Sequence, residues 1–280
     1  MNSGADVWKS APRKYNPLSM AMILRSHLLS SRTLRGSVVG CAVLFVAAML
    51  LAGCQGIAAS HTAPQVRVID ASPDAPELDV YQNNGQNNTP LAHNLGFGTI
   101  TSYSAVEPGS YTTETDVAGS RQMVSVNKDT FADTNQYTIL IGNTVASMEQ
   151  MTLEDQSQPV PNGQILLRFV HLATRAGGLD AYLVPAGKKL VDVTPMATSL
   201  VLDGNSGYLN AAPGAYTLVL LPAGTAPASD TVAAYTGSQI TYAPGSASTM
   251  ILIDQKQAAM PGLQILQATD FVAPEAAAEK

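Results

Sequence analysis

Four acidic side chains near residue 75 are the strongest candidates for chemistry in this sequence. Their spacing is Asp70-x3-Asp74-x2-Glu77-x-Asp79, and two prolines bend the chain between them. Carboxylate oxygens are the ligands that Ca²⁺ prefers, at about 2.3–2.6 Å. The pattern therefore predicts a calcium site. The alternative is ordinary loop chemistry, in which Asp70 and Asp74 accept backbone N–H groups in Asx turns and Asp79 binds further backbone N–H groups.

A cysteine at the end of a short apolar run is the second group with chemistry of its own. Leu51-Ala52-Gly53-Cys54 looks like the lipobox of bacterial lipoproteins, in which a peptidase cleaves after Gly53 and a lipid is attached to the Cys54 thiol. The run over residues 38–52 is uncharged and follows three arginines, which is the layout of an export signal. Each acyl CH₂ that is buried in the bilayer contributes about 0.8 kcal/mol to membrane binding. Several acyl chains, such as palmitate, together hold a domain on a bilayer. We expect a signal segment over residues 1–53.

Cleavage at this position removes Cys41 and six of the 15 basic side chains. The whole chain has 15 basic and 21 acidic side chains, and the part that begins at Cys54 has a net charge of −11. Such a surface repels nucleic acid and anionic lipid headgroups, so the lipid itself must anchor the protein to the membrane. The lipoprotein resemblance implies an exported protein of the cell envelope, and Gln55 implies the outer membrane where the organism has one. Met20 and Met22 are alternative starts that would give a more ordinary signal length.

The rest of the chain contains one internal repeat. Residues 66–81 align without a gap with residues 167–182, and Arg67 falls on Arg168. Four further matches follow at slightly larger offsets: Tyr103 with Tyr208, Pro108-Gly109-x-Tyr111 with Pro213-Gly214-x-Tyr216, Thr138 with Thr249, and Glu154-Asp155 with Thr269-Asp270. Growing offsets indicate loop insertions between corresponding strands, and the whole pattern indicates a tandem duplication.

Short segments rich in β-branched and aromatic residues alternate with Pro-Gly, Ala-Gly and Asp-Gly turns throughout this region. About seven such strands in each roughly 100-residue copy predict an all-β fold of two tandem antiparallel β-sandwiches, immunoglobulin-like or transthyretin-like. In each Pro-Gly-x-Tyr pattern we expect a type II turn and a tyrosine hydroxyl that binds a backbone acceptor. The expected parts are a tether over 54–64, a first repeat over 65–156, a linker over 157–163, a second repeat over 164–272 and a tail over 273–280.

Each copy resembles the bacterial envelope family called domain of unknown function 4397. The resemblance rests on V-R-V-I-D-A-S-P-D-A-P-x-L-D-V-Y at Val66–Tyr81 and on the later Y-x4-P-G-x-Y, and it covers about residues 65–270. The second copy departs from the opening pattern, with His171 in place of Asp70 and Arg175 in place of Asp74. The family implies an exported β-sandwich, often in tandem, without an assigned activity.

Enzyme signatures are missing from the sequence, which contains no G-x-S-x-G, H-E-x-x-H or G-x-x-x-x-G-K-[ST] pattern. His61, His93 and His171 are scattered, which disfavours a transition-metal site. We expect no catalytic residue and a non-enzymatic module that binds an envelope protein or glycan through its loops. The alternative is a carboxylate-dependent hydrolase acting on an envelope glycan, since two acids suffice for glycosidases. Of the four clustered acids, Asp79 alone has an acidic counterpart in the second copy, Asp180, and we expect this pair to be structural.

Overall fold

The computed structural model describes residues 62–161, 163–256 and 262–271, and within these ranges it contains β-strands, two short 3₁₀ turns and no α-helix. The first repeat has β1 Gln65–Asp70, β2 Leu78–Asn83, β3 Asn88–Leu95, β4 Ser104–Ala105, β5 Gly109–Val117, β6 Met123–Phe131, β7 Gln136–Gly142 and β8 Glu149–Asp155. The second repeat has β9 Ile165–His171, β10 Leu179–Pro185, β11 Ala197–Leu200, β12 Asn205–Ala211, β13 Gly214–Pro222, β14 Tyr235–Tyr242, β15 Ala247–Asp254 and β16 Leu263–Phe271.

Each repeat is a sandwich of two four-stranded sheets, and the strand order is the same in both. The sheet order β4-β1-β7-β8 corresponds to β12-β9-β15-β16, and we call these the inner sheets. The outer sheets are β3-β2-β5-β6 and β11-β10-β13-β14. The prediction of tandem β-sandwiches is thus confirmed.

Two details of that prediction were wrong. Each repeat has eight strands instead of about seven, because β3 and β11 are edge strands whose polar or very short sequences show no period-two pattern. The sandwiches are also not wholly antiparallel, because β1 pairs in parallel with β7, and β9 pairs in parallel with β15. The first strand of each repeat thus lies in the middle of the inner sheet, beside the seventh strand.

The core of each repeat lies between its inner and outer sheets. In the first repeat, alternate residues such as Val68 and Ile141 of the inner sheet meet Leu78 and Val80 of the outer sheet. The second repeat has a larger core, built around Phe169. Alternation along each strand sends these apolar side chains to one face, as expected for a half-buried sheet.

A third core joins the two repeats, because the inner sheets pack against each other through their remaining faces. These buried side chains come from both repeats: Ile69, Ala71, Leu140, Leu153, Val170, Leu172, Ile251, Ile253, Leu266 and Ala268. The inner strands are therefore buried on both faces, and β9 and β15 contain no exposed residue. This double burial explains why their sequences are almost continuously apolar.

A buried polar network lies beside this third core, and Arg67 begins its first half. The Arg67 guanidinium donates from Nε to Thr138 Oγ1 at 2.8 Å, from Nη1 to the Thr269 carbonyl at 2.8 Å, and from Nη2 to the Asp270 carboxylate. Its Cζ lies 4.6 Å from the centroid of the Tyr103 ring. Two of these partners, Thr269 and Asp270, belong to the other repeat.

Arg168 forms the second half of the network with the corresponding partners. It donates from Nε to Thr249 Oγ1 at 2.9 Å, from Nη1 to the Glu154 carbonyl at 2.8 Å, and from Nη2 to Asp155 Oδ1 at 2.5 Å. Its Cζ lies 4.5 Å from the centroid of the Tyr208 ring. Each arginine thus reaches into the opposite repeat, so a pseudo-twofold axis relates the two halves.

The two carboxylates of the network are fully engaged. Asp155 also accepts hydrogen bonds from Thr138 and from the Tyr103 hydroxyl, the latter at 2.7 Å. Asp270 accepts from Thr249 at 2.7 Å and from the Tyr208 hydroxyl at 2.8 Å. Burial, and secondly the charge of the neighbouring carboxylate, raises the pKa of both tyrosine hydroxyls well above the usual value, so both phenols stay protonated and donate.

The repeated Pro-Gly-x-Tyr pattern forms a corner at the start of β5 and β13. The Tyr111 hydroxyl donates to the Glu107 carbonyl at 2.8 Å, and the Tyr216 hydroxyl donates to the Ala212 carbonyl at 2.8 Å, as predicted for the tyrosine hydroxyl. The preceding glycines have φ of 151° and 158°, which differs from the roughly +80° of a type II turn. Both values are positive and are rarely adopted by residues with a side chain, so this position before each tyrosine favours glycine.

The predicted signal segment, Gly53, Cys54 and most of the tether lie outside the described residues, and so does the tail. Within the described part of the chain, no helix is long and apolar enough to cross a membrane.

Truncation of either network arginine should be strongly destabilising. We expect Arg67→Ala and Arg168→Ala each to lower the free energy of unfolding by about 3–5 kcal/mol, because each leaves a buried carboxylate without its main partner. Urea denaturation monitored by circular dichroism measures this loss. Arg121→Ala, at an exposed arginine, is the matched control and should change stability by less than about 0.5 kcal/mol. Equal effects of all three variants would contradict the role assigned to the network.

Candidate functional site

Loops from both repeats lie together at one end of the molecule, and the chain enters at the other. The entry end, which we call the tether end, holds the Arg67–Arg168 network, and there Thr134 N donates to the Thr62 carbonyl at 2.8 Å. We call the opposite end the loop end. A Cβ on Gly142 would lie 3.3 Å from the Leu172 side chain, so the loop ends of the two repeats adjoin. The loop end contains residues 71–77, 118–122 and 143–148 of the first repeat and residues 172–178 and 223–234 of the second.

The four predicted calcium ligands are distributed over separate places at the loop end. Asp70 is fully buried at the end of β1, and its Oδ1 accepts the Ser72 N–H at 2.9 Å in an Asx turn. Asp74 is exposed and accepts the Val145 N–H at 2.9 Å. Glu77 is exposed as well. In the ranges that the structure describes, no three His, Cys, Asp or Glu side chains are arranged to share a metal ion, and the calcium site stays a prediction.

Asp79, the fourth predicted ligand, joins the edge strand β3 to the β5–β6 loop through backbone amides. Its Oδ1 accepts the Asn94 N–H at 3.0 Å and its Oδ2 accepts the Gly119 N–H at 3.2 Å. His93 Nδ1 also lies 3.3 Å from Oδ1. The Asn94 hydrogen bond is the main reason that the pKa of Asp79 lies below its usual value.

Asp180 makes the corresponding contacts in the second repeat. It accepts the Ser199 N–H at 2.7 Å and the Gly224 N–H at 2.9 Å. Ser199 has φ of 54°, and its counterpart Asn94 has φ of 49°, so each carboxylate binds the amide of a residue in the left-handed region. Both carboxylates thus secure strained backbone in the edge strands β3 and β11, which is a structural task.

The second repeat replaces the other acids and retains one of their contacts. His171 stands where Asp70 stands, and its Nδ1 accepts the Ala173 N–H at 3.2 Å while Nε2 lies 3.0 Å from the Gly177 carbonyl. Arg175 replaces Asp74 and ties its loop to the seventh strand, β15, with Nε 3.4 Å from Asp254 Oδ1, whereas Asp74 binds the Val145 amide beyond β7. The loop end therefore keeps one geometry with two different sets of charges.

Asp70 is the most perturbed carboxyl at the loop end. Its Oδ2 is buried and has no hydrogen-bond partner, in contrast to Nε2 of His171, which reaches a carbonyl. Burial therefore raises the pKa of Asp70 from 3.8 to about 7, against the smaller opposing effects of the Ser72 amide and the Lys256 charge. This carboxyl is protonated over much of the acidic range, which makes it a poor cation ligand there.

The network residues are the important side chains that sequence reasoning did not assign to a role. Every one of them lies in a matched segment of the repeat, with Arg67 on Arg168, Tyr103 on Tyr208 and Thr138 on Thr249. An arginine flanked by apolar residues at the same position of two inner strands was the available signal. A charged residue that recurs inside a continuous apolar run indicates a buried ion pair.

Comparison with known proteins identifies one family. Residues 64–182 match the family described as Domain of unknown function (DUF4397). The matched segment covers the first repeat and continues to Tyr182 in β10. This match confirms the family resemblance read from the opening pattern of the repeat. The search of curated proteins gives no match.

Solved structures give only distant likenesses. One is the family CBM26 module from Eubacterium rectale Amy13K in complex with maltoheptaose, with 8% identity, 75% of this chain and 98% of that chain covered, and a TM-score of 0.24. Another is the fimbrial anchor protein Mfa2 from Porphyromonas gingivalis, with 9% identity and a TM-score of 0.25. The match covers 74% of this chain and 98% of that chain. Likenesses with scores this low do not assign a fold or a function. The β-sandwich fold is assigned from the strand topology.

Asp70 should make the stability of the protein depend on pH. The folded state binds this proton more tightly than the unfolded chain, so the free energy of unfolding should fall as the pH rises from about 4 to about 7. We expect Asp70→Asn to remove this loss and to stabilise the protein at about pH 8 by no more than about 4 kcal/mol, with little gain at about pH 4.

Urea denaturation at the two pH values measures the difference between Asp70→Asn and the natural protein. Glu77→Gln is the control, because it neutralises an exposed acid of the same loop. An equal gain from Asp70→Asn at both pH values would show that Asp70 does not hold its proton in the folded state.

Proposed function

We propose that this chain, which carries a DUF4397 domain over residues 64–182, is a lipid-anchored protein of the cell envelope that acts as a non-enzymatic binding or scaffold module. The observation that carries the proposal is the reciprocal burial of Arg67 and Arg168, which joins the two repeats through each other's carboxylates. A rigid double sandwich that brings loops of both repeats together at one end is suited to present a recognition surface.

The proposed anchor agrees with the place where the chain enters the first sandwich. Cys54 precedes Thr62 by only eight residues, and an extended chain spans at most about 3.3–3.6 Å per residue. A lipid on Cys54 would therefore hold the tether end within about 30 Å of the bilayer and direct the loop end away from it. The net charge of −11 for this part of the chain opposes direct adsorption to anionic lipid.

A binding role is also favoured by how the carboxylates at the loop end are used. Asp70, Asp74, Asp79 and Asp180 each accept backbone amides. A general acid or base must instead be free to exchange its proton with a substrate. The loop-end acids serve to shape the loops, and the loops then serve for recognition.

The two cysteines make a matched test of the anchor. We expect cells fed an alkyne-tagged palmitate to label the natural protein and Cys41→Ala, and the label to vanish in Cys54→Ala. Membrane fractionation should show the same pattern, because a chain without its lipid has a net charge that opposes adsorption. Labelling that survives in Cys54→Ala, or that is lost in Cys41→Ala, would overturn the proposed anchor.

The same cells test the binding role. A photo-crosslinking residue at Arg121, at the loop end, should yield a discrete adduct with one envelope component, and the same residue at Glu107, at the tether end, should not. This contrast is expected because the loop end faces away from the membrane. Identical products from both positions, or none from Arg121, would contradict recognition through the loops.

A further inference from the structure

The outer sheet of the first repeat has a concave polar face that the fold itself does not require. The concavity has a volume of about 570 Å³ and lies where the β2–β3 hairpin stands above β5 and β6. This volume is within the range of about 300–1,000 Å³ that is usual for ligand sites. We propose that this face is a second binding site, separate from the loop end, and that its ligand is a neutral oligosaccharide.

The side chains on this face form ordered rows across three strands. Asn83 pairs with Thr112, and Thr112 pairs with Lys128, so these three side chains make one row on the solvent side. Tyr81 pairs with Glu114 in the next row. Directly opposed residues share a face of the sheet, so an amide, a hydroxyl, an ammonium group, a carboxylate and an aromatic ring stand side by side.

The polar groups of the rows are held in place while their binding capacity stays free. The side-chain oxygens of Asn83 and Asn84 accept backbone amides within the hairpin, from Gly85 at 2.7 Å and from Asn87 at 2.8 Å. Their Nδ2 groups have no hydrogen-bond partner among the described residues. The Thr112 hydroxyl likewise has none within this part of the chain. Preorganised donors and acceptors of this kind bind a ligand at a low entropic cost.

The chemistry of these groups fits a sugar better than a charged ligand. Each hydroxyl of a sugar both donates and accepts, which matches a mixture of amide, hydroxyl and carboxylate groups. Tyr81 lies on the same face of the sheet, beside the concavity and not in its lining. It offers a half-buried ring, held edge-on by His93 with centroids 5.7 Å apart, against which an apolar face of a sugar ring can pack. Lys128 and Glu114 carry opposite charges, and the third charged residue of the lining, Asp129, is buried with its carboxylate bound to Thr113 and Thr152. The face therefore selects neither a polyanion nor a polycation.

The second repeat shows that the same sheet folds without such a face. The residues that correspond to Tyr81, Asn83 and Glu114 are Tyr182, Val184 and Val219, and all three are buried. They form a small apolar cluster that residues 186–196 cover with Leu190 and Val193. In the first repeat the corresponding connection is only the short hairpin over residues 84–87, so the face stays open.

The experiment uses the full chain purified in detergent and three probes: cellohexaose, maltohexaose and chitohexaose, the last a polymer of N-acetylglucosamine. Isothermal titration should detect binding of at least one probe at millimolar concentration or below. Glu114→Val introduces the residue of the second repeat and should weaken this binding about tenfold, the value of one hydrogen bond to a charged group. Asn83→Ala should weaken it as well.

Glu149→Val is the matched control, because it removes the same charge from an exposed position in β8, outside the concavity. It should leave the affinity unchanged, and circular dichroism should show that all variants keep the fold. If no probe binds, or if Glu114→Val and Asn83→Ala bind as tightly as the natural protein, the proposal is wrong.

The inference rests on the proposed binding role, but the experiments distinguish the failure of one from the failure of the other. Lost sugar binding would leave the palmitate labelling and the loop-end crosslinks untouched.

Discussion

The structure depends on one interaction, the exchange of arginines between the two repeats. Burial of Arg67, Arg168, Asp155 and Asp270 is costly unless every donor and acceptor finds a partner. Here each guanidinium uses three nitrogens and lies over a tyrosine ring, and each carboxylate also accepts a threonine and a tyrosine hydroxyl. Each arginine makes its shortest carboxylate contact with the other repeat, although Arg67 Nη2 also lies 3.6 Å from Asp155 Oδ2 in its own repeat. Each sandwich therefore depends on the other for the main partner of its buried charges.

This exchange also determines how the two sandwiches are arranged. A reciprocal contact in which the same patch meets itself is the isologous interface of a twofold dimer, here made within one chain. The axis runs roughly along the strands, because the network joins the tether ends and Gly142 approaches Leu172 at the loop ends. Both sets of loops must then point the same way. Recognition through these loops would involve two adjoining surfaces of different charge, with Asp74 on one and Arg175 on the other.

The sequence was sufficient to predict the duplication, the β-sandwiches and the loop role of Asp79, because these depend on local pattern. It was not sufficient to show which sheet faces pack against each other. Alternation along β9 and β15 is hidden by burial of both faces, so the pattern cannot distinguish the core within a repeat from the core between repeats. The partners Arg67 and Asp270 are 203 residues apart. Their pairing follows from the pseudo-twofold arrangement, which no local pattern encodes, although each residue was matched to its counterpart in the repeat.

Comparison of the repeats separates what the fold needs from what it permits. The two halves share the network, the tyrosine corner and the paired loop carboxylates, although their charges at the loop end differ. The solvent-side faces of their outer sheets have also diverged. Val184 and Val219 are covered by residues 186–196, whereas Asn83 and Glu114 lie on an uncovered face. A buried apolar cluster stabilises a sandwich, and an open polar face adds little stability of its own. The open face of the first repeat is thus a place where function, and not folding, sets the choice of residues.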